Sequence, residues 1–327
     1  MKQDSPSGYL TRCALRASLL LGVVAALAVQ PAAHAQLSYS RGQTVSPGYE
    51  GWERESGGKL YFLFGYMNRN WLEELDMPIG PENFIAPGKP DQGQPTHFLP
   101  RRNRFVFRVP VPQGFSDSDE LIWTLTTQGE TKRAYATLRL DYFVDDLVKA
   151  SEQGAIGAGT TDPVLRANKA PTLRVESQDE LQARVGEPLT LVAIATDDGV
   201  PKPRDRRTNR LFRQPSQGED APPTSKPQWT PPRQVTVGSS TGLRLSWYLF
   251  RGAGRVTFDP EQNKVWEDTR TGANSPWAPK WYAPPVPPDG RFVTEVTFHD
   301  PGTYVLRCLA SDGALGTASD VTITVTP

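Results

Sequence analysis

The feature that most limits what this chain can fold into is a period-two alternation of apolar residues that recurs through its C-terminal half. Leu189, Leu191, Ala193 and Ala195 alternate with their neighbours before the turn Thr196-Asp197-Asp198-Gly199. Leu243, Leu245, Trp247 and Leu249 do the same around a central tryptophan. Tyr304, Leu306, Cys308 and Ala310 follow Pro301-Gly302-Thr303, and Val321, Ile323 and Val325 close the series. Successive side chains of a strand leave on opposite faces, so each run builds one face that must be buried. With 31 prolines and 28 glycines and no sustained helical period, the sequence predicts an all-β protein of short strands joined by turns.

The same reading predicts strands at residues 59–66, 104–111, 121–126 and 135–142 of the first half. Between the first two, Pro78, Pro81, Pro87, Pro90, Pro95 and Pro100 exclude central strands and regular helix beyond a turn. Residues 144–153 form a short helix, and Gly154, Gly157 and Gly159 open a linker. The expected organisation is a leader at 1–35, a β-rich domain at 36–143, a helix and linker at 144–169, and a second domain at 170–327.

The leader is read from Lys2, Arg12 and Arg16, a 13-residue apolar run at 17–29, and the triplet Ala33-His34-Ala35. A positive start, a short apolar middle and a small-x-small end are what a signal peptidase reads, so cleavage is expected before Gln36. The run is shorter than the roughly 20 residues of a spanning helix. An exported chain, periplasmic or extracellular, with no membrane span after cleavage, is the expectation. Beyond residue 35 the net charge is −2, which gives no reason to expect nucleic acid as a partner. Cys308 is then the sole cysteine and has no partner for an internal disulfide.

A tryptophan on a middle strand, with a tyrosine entering a late strand, is how an immunoglobulin-like sandwich fills its centre and ties a corner. Ala170-Pro171-Thr172, the turn at 196–199, Trp247, residues 254–258, Pro301-Gly302-Thr303-Tyr304-Val305-Leu306, Ala310-Ser311-Asp312-Gly313 and Ala318-Ser319-Asp320 carry a closer likeness. Residues 170–327 resemble the immunoglobulin-like repeats of the polycystic-kidney-disease (PKD) type found in bacterial secreted and surface proteins. That resemblance implies a seven-stranded β-sandwich acting as spacer, adhesion unit or enzyme accessory, with no shared catalytic residues. Two long loop insertions depart from the pattern, at 200–242 and 261–290, and long loops on a rigid sandwich are where binding resides. In the first half, Phe64-Gly65-Tyr66-x-Asn68, Pro78-Ile79-Gly80 with Asn83, the stretch 93–100 and Trp123-Thr124-Leu125 look like an exported bacterial module of unknown role. Two β-sandwich-like domains are therefore expected.

Catalytic groupings are not found. The stretch 238–242 fits G-x-S-x-G around Ser240, but that motif needs a strand before it and a helix after it, whereas a strand follows here. After the leader only His97 and His299 remain, neither at triad or metal spacing, and Cys308 alternates into the core. Asp197, Asp198 and Asp312 are the weak metal candidates, and turn chemistry accounts for them better than calcium does. Arg206, Arg207 and Arg210, in the basic run from Lys202 to Arg213, are candidate contacts to an anionic polymer, against the alternative of a solvated loop. In the second insertion Trp266, Trp277, Trp281 and Tyr282 either cover the outward-facing Val192, Ile194, Tyr248 and Phe250 or stack on sugar rings. Trp277, Trp281 and Tyr282 are the candidates for the second role. Glu73, Glu74 and Asp76 offer carboxylates for an enzyme site at the domain junction, against the alternative of a helical turn with a wet face at 71–76. The expected function is a non-catalytic binding, adhesion or scaffolding protein of the cell envelope, without cofactor, whose partner is an envelope or extracellular protein or polysaccharide. The alternative is a glycan-binding accessory working through the 261–290 insertion.

Overall fold

The computed structural model describes residues 39–153, 160–176, 180–203, 240–266 and 283–327. The expected leader, Arg206, Arg207, Arg210, Trp277, Trp281 and Tyr282 lie outside these residues.

The chain is all-β, as its alternation predicts. In the first half, β1 (Val45–Arg54), β2 (Leu60–Asn68) and β6 (Arg101–Pro110) form one antiparallel sheet in the order β1-β2-β6. Between β2 and β6 the proline-rich region holds only the short β3 (Leu75–Asp76), β4 (Asn83–Ala86) and β5 (His97–Phe98). β4 is an edge strand of a second sheet, order β4-β7-β8, with β7 (Leu121–Thr127) and β8 (Glu130–Ala136), while β3 pairs with β5 alone. Phe62, Phe64, Phe107 and Val109 from one sheet meet Ile85, Trp123, Leu125 and Ala136 from the other. Trp123 is fully buried, edge-on to Phe107 at 5.0 Å between ring centres.

Two expectations are corrected. The strand placed at 135–142 runs instead over Glu130–Ala136, and Leu140–Tyr142 is a 3-10 turn. Gln128 and Gly129 both take positive φ (51° and 75°), the geometry of a tight hairpin turn, so pairing with β7 begins at Thr127↔Glu130 and is used up at Leu121↔Ala136. Nor is there a helical turn at 71–76, because Leu75 and Asp76 pair with Phe98 and His97. The short helix expected at 144–153 is present at Asp146–Glu152, capped by the Asp145 side chain.

In the second half, β9 (Thr172–Val175), β11 (Pro188–Thr196), β13 (Val256–Asp259) and β14 (Arg291–Phe298) make a sheet of order β13-β14-β11-β9. β10 (Glu180–Arg184), β12 (Arg244–Arg251), β15 (Gly302–Ser311) and β16 (Gly316–Thr326) make the other, β10-β16-β15-β12. The first strand thus divides between the sheets, and its second part pairs parallel to the last strand. Among the described strands of this half, every other pairing is antiparallel. This is the immunoglobulin-like arrangement of two facing sheets. Trp247 (1% exposed) stands opposite Cys308 in the core, and the Tyr304 hydroxyl donates to the Asp300 carbonyl at 2.8 Å, tying the corner. Gly252 and Gly254 permit that corner: a Cβ at Gly254 would lie 2.7 Å from Tyr304 Oη, at a φ of 123°. Among the described residues the buried Trp247 indole N–H meets no acceptor.

Candidate binding cavity at the junction of the two sandwiches

The two halves share buried side chains. β12 has a bulge between Leu249 and Arg251, leaving Phe250 without a partner on β15. Leu249 fills the core of the C-terminal sandwich, whereas Phe250 is buried in the aromatic core of the first half, with Tyr248 and Val305 packed against it. The expectation that an insertion covers these outward-facing residues is corrected for Phe250, whose cover is the N-terminal sandwich. Trp266 alone among the described insertion aromatics contributes, packing with Trp71, Leu99 and Tyr248. Val192 and Ile194 are half-buried.

Polar contacts reinforce the junction. Thr96 donates its N–H to the Phe250 carbonyl (3.2 Å) and accepts from Gly252 N–H at its hydroxyl (3.0 Å). Arg251 donates to both carboxylate oxygens of Asp91 (2.9 and 2.7 Å) and to the Gln94 carbonyl. Arg307 holds Asp320 through two bonds (2.6 and 2.7 Å), donates to the Val106 carbonyl, and lies 3.5 Å above the Phe250 ring. A guanidinium on an aromatic face and a bidentate carboxylate is geometry that a lysine does not reproduce.

Beside this junction opens a cavity of about 610 Å³, lined from the first half by Glu74, Asp76, His97 and Leu99, and from the second by residues 247–249, 254–258 and 261–266. That volume falls within the roughly 300–1,000 Å³ of small-molecule sites. β3 and β5 bring Asp76 and His97 opposite each other. Asn83 supports them from beneath: its amide donates to the Met77 and Pro95 carbonyls, and its oxygen accepts from Trp123. A buried asparagine thus replaces the ladder bonds that the prolines cannot donate.

His97 is 7% exposed and donates through Nδ1 to Asp76 (2.7 Å) and through Nε2 to Glu74 (3.0 Å). Burial works against its charge, but the bonds and charges of Asp76 and Glu74 outweigh burial and raise its pKa from 6.5 to about 9. At neutral pH the ring is an imidazolium with both nitrogens engaged, which leaves no lone pair for a general base. Sequence reasoning treated Glu74, Asp76 and His97 separately. The spacing between them has no meaning until the proline-rich loop folds back on itself.

The remaining candidates fall elsewhere. Asp197 accepts from Gly199 N–H and Asp198 from Val200 N–H, as Asx turns do, while Asp312, fully buried, accepts from Ala314, Leu315 and Asn168. Burial and the nearby Asp312 and Asp198 charges raise the Asp197 pKa to about 6, against the Gly199 bond, which lowers it. Among the described residues, no three His, Cys, Asp or Glu side chains converge as metal ligands. Ser240 is buried (4% exposed) and its carbonyl accepts from Arg244. His299 bonds the Thr257 hydroxyl at 3.1 Å. Cys308 is buried, and burial pushes its thiol pKa up, which keeps it inert. Among the described residues no helix is long and apolar enough to cross a membrane.

No family model matches the chain, and no curated protein matches it. Among solved structures, it is similar to the N-terminal eight Ig domains of the Down Syndrome Cell Adhesion Molecule (10% identity, TM-score 0.22), covering 86% of this chain and 27% of that one. It is also similar to the D00-D0 domain of intimin (9% identity, TM-score 0.23), covering 87% of this chain and 100% of that one. A third is the S-layer protein rSbsC (8% identity, TM-score 0.23), with 87% and 28% covered. The chain therefore spans about a quarter of the length of the first and third. Superposition at this level carries no functional weight, and the fold assignment rests on strand order and the tyrosine corner described above.

Proposed function

We propose that this chain is an exported, non-catalytic binding or scaffolding protein of the cell envelope, holding its ligand at the junction of two sandwiches. The observation that carries this is the state of the junction cavity. Its histidine is spent as a charged brace between Glu74 and Asp76, so among the described residues the cavity offers no free imidazole to serve as a base. A brace that fixes three polar side chains in one place suits recognition. The leader at 1–35 supports export. The motifs of residues 170–327 support the PKD type, and we retain 36–143 and 170–327 as the two sandwich domains. The partner we expect is an envelope or extracellular protein or polysaccharide.

The test is cross-linking and affinity capture from envelope extract with the chain from residue 36 onward. Specific capture of a partner supports the reading. A turnover activity abolished by replacing His97, Ser240 or His299 overturns it. The alternative, a glycan-binding accessory acting through Trp277, Trp281 and Tyr282, predicts that capture is lost in Trp277→Ala plus Trp281→Ala while the fold is retained.

A further inference from the structure

From the chemistry of its wall, we propose that the junction cavity binds a neutral saccharide unit. This rests on the binding reading above and adds the ligand class and the residues that hold it. Among the described residues the lining carries three carboxylates, Glu74, Asp76 and Glu261, and three cations, His97, Arg255 and Lys264. Those charges cancel. A cationic ligand meets Arg255 and Lys264, an anionic one meets the carboxylates, and neither gains from entering a site already balanced. A neutral polyol meets both sets, because each hydroxyl donates to one group and accepts from another.

The individual groups fit that role. Asp76 gives Oδ1 and Glu74 gives Oε2 to the imidazolium, so the second oxygen of each carboxylate is left to accept. Their side chains keep 38% and 51% exposure, so these acceptors are reachable from solvent. Asn263 adds a neutral amide on the opposite wall. Tyr248 and Leu99 supply the apolar surface that takes the C–H face of a sugar ring. Trp266, at 7% exposure and with Lys264 over its ring at 4.6 Å, is not the stacking platform of this site.

The experiment is saturation-transfer NMR with the chain from residue 36 onward, against a neutral set (maltotriose, cellotriose, chitotriose), an anionic probe (trigalacturonic acid) and a cationic one (spermine). At least one neutral trisaccharide is expected to bind saturably and to weaken at least tenfold in Glu261→Ala plus Asn263→Ala, whose circular dichroism and unfolding midpoint should match the parent. Trp277→Ala plus Trp281→Ala should leave that binding unchanged. Binding of the charged probes alone, or neutral binding indifferent to the cavity variant, overturns the proposal. If envelope capture succeeds while no neutral sugar binds, the saccharide assignment falls and the binding reading stands; if both fail, both fall.

Discussion

Removing the charge of His97 should cost the protein stability at neutral pH and nothing above pH 10. The folded-state pKa of about 9 lies some 2.5 units above the 6.5 of a free histidine, and at 1.36 kcal/mol per unit this amounts to about 3 kcal/mol. Because the pKa is raised on folding, the folded state binds the proton more tightly. The contribution is complete below pH 6.5 and is lost as the pH climbs through about 9. The imidazole is almost fully buried, but Asp76 and Glu74 keep 38% and 51% exposure, so solvent screens the pairs in part and about 3 kcal/mol is the upper end of the effect. Urea unfolding followed by tryptophan fluorescence, at pH steps from 6 to 10, should be run on the parent and on His97→Gln. Other titrating groups cancel in the difference between the two. That difference should shrink by up to about 3 kcal/mol between pH 6.5 and pH 10, a large part of the 5–15 kcal/mol that folds a domain. A difference that stays flat across this range would refute the imidazolium brace and with it the argument against a catalytic histidine.

Phe250→Ala should destabilise both sandwiches together by about 3–5 kcal/mol, seen as one shifted unfolding transition by calorimetry, since its ring is buried in the core of the opposite half. Gly254→Ala should lose about 2 kcal/mol in chemical denaturation, because the new methyl meets the Tyr304 hydroxyl at an unfavourable φ. Asp197→Asn should raise the melting temperature at pH 7 and leave it unchanged at pH 3. The raised pKa of about 6 means that ionised Asp197 opposes folding above its unfolded pKa. Cys308 should resist a thiol reagent in the native protein and react fully in denaturant, read by absorbance of the released chromophore.

Strands that bury one whole face were legible because alternation reports burial directly: β11, β12, β15 and β16 are where Leu191, Trp247, Leu306 and Ile323 put them. β9 and β10 were not, since splitting one strand between two sheets depends on partners far along the chain. β1 was hidden by Pro47, Gly48 and the bulge between Tyr49 and Gly51. The cavity was the least visible part. Its acidic residues and its histidine stand out singly in the sequence, but what joins them is the fold-back of a proline-rich loop pinned by Asn83, a side chain with no periodic signature. The junction was signalled only by outward-pointing Tyr248 and Phe250, and the sequence left open what covers them.

Lodging Phe250 in the opposite core has an evolutionary consequence. Sandwich domains are commonly shuffled as beads on a string, each soluble when excised. Here the C-terminal sandwich, cut loose, would expose a large aromatic ring and a guanidinium stripped of its carbonyl acceptor, and the N-terminal one would be left with a hole. The two sandwiches therefore have to be handled as one piece, and any attempt to graft either half onto another scaffold must carry a replacement for that ring.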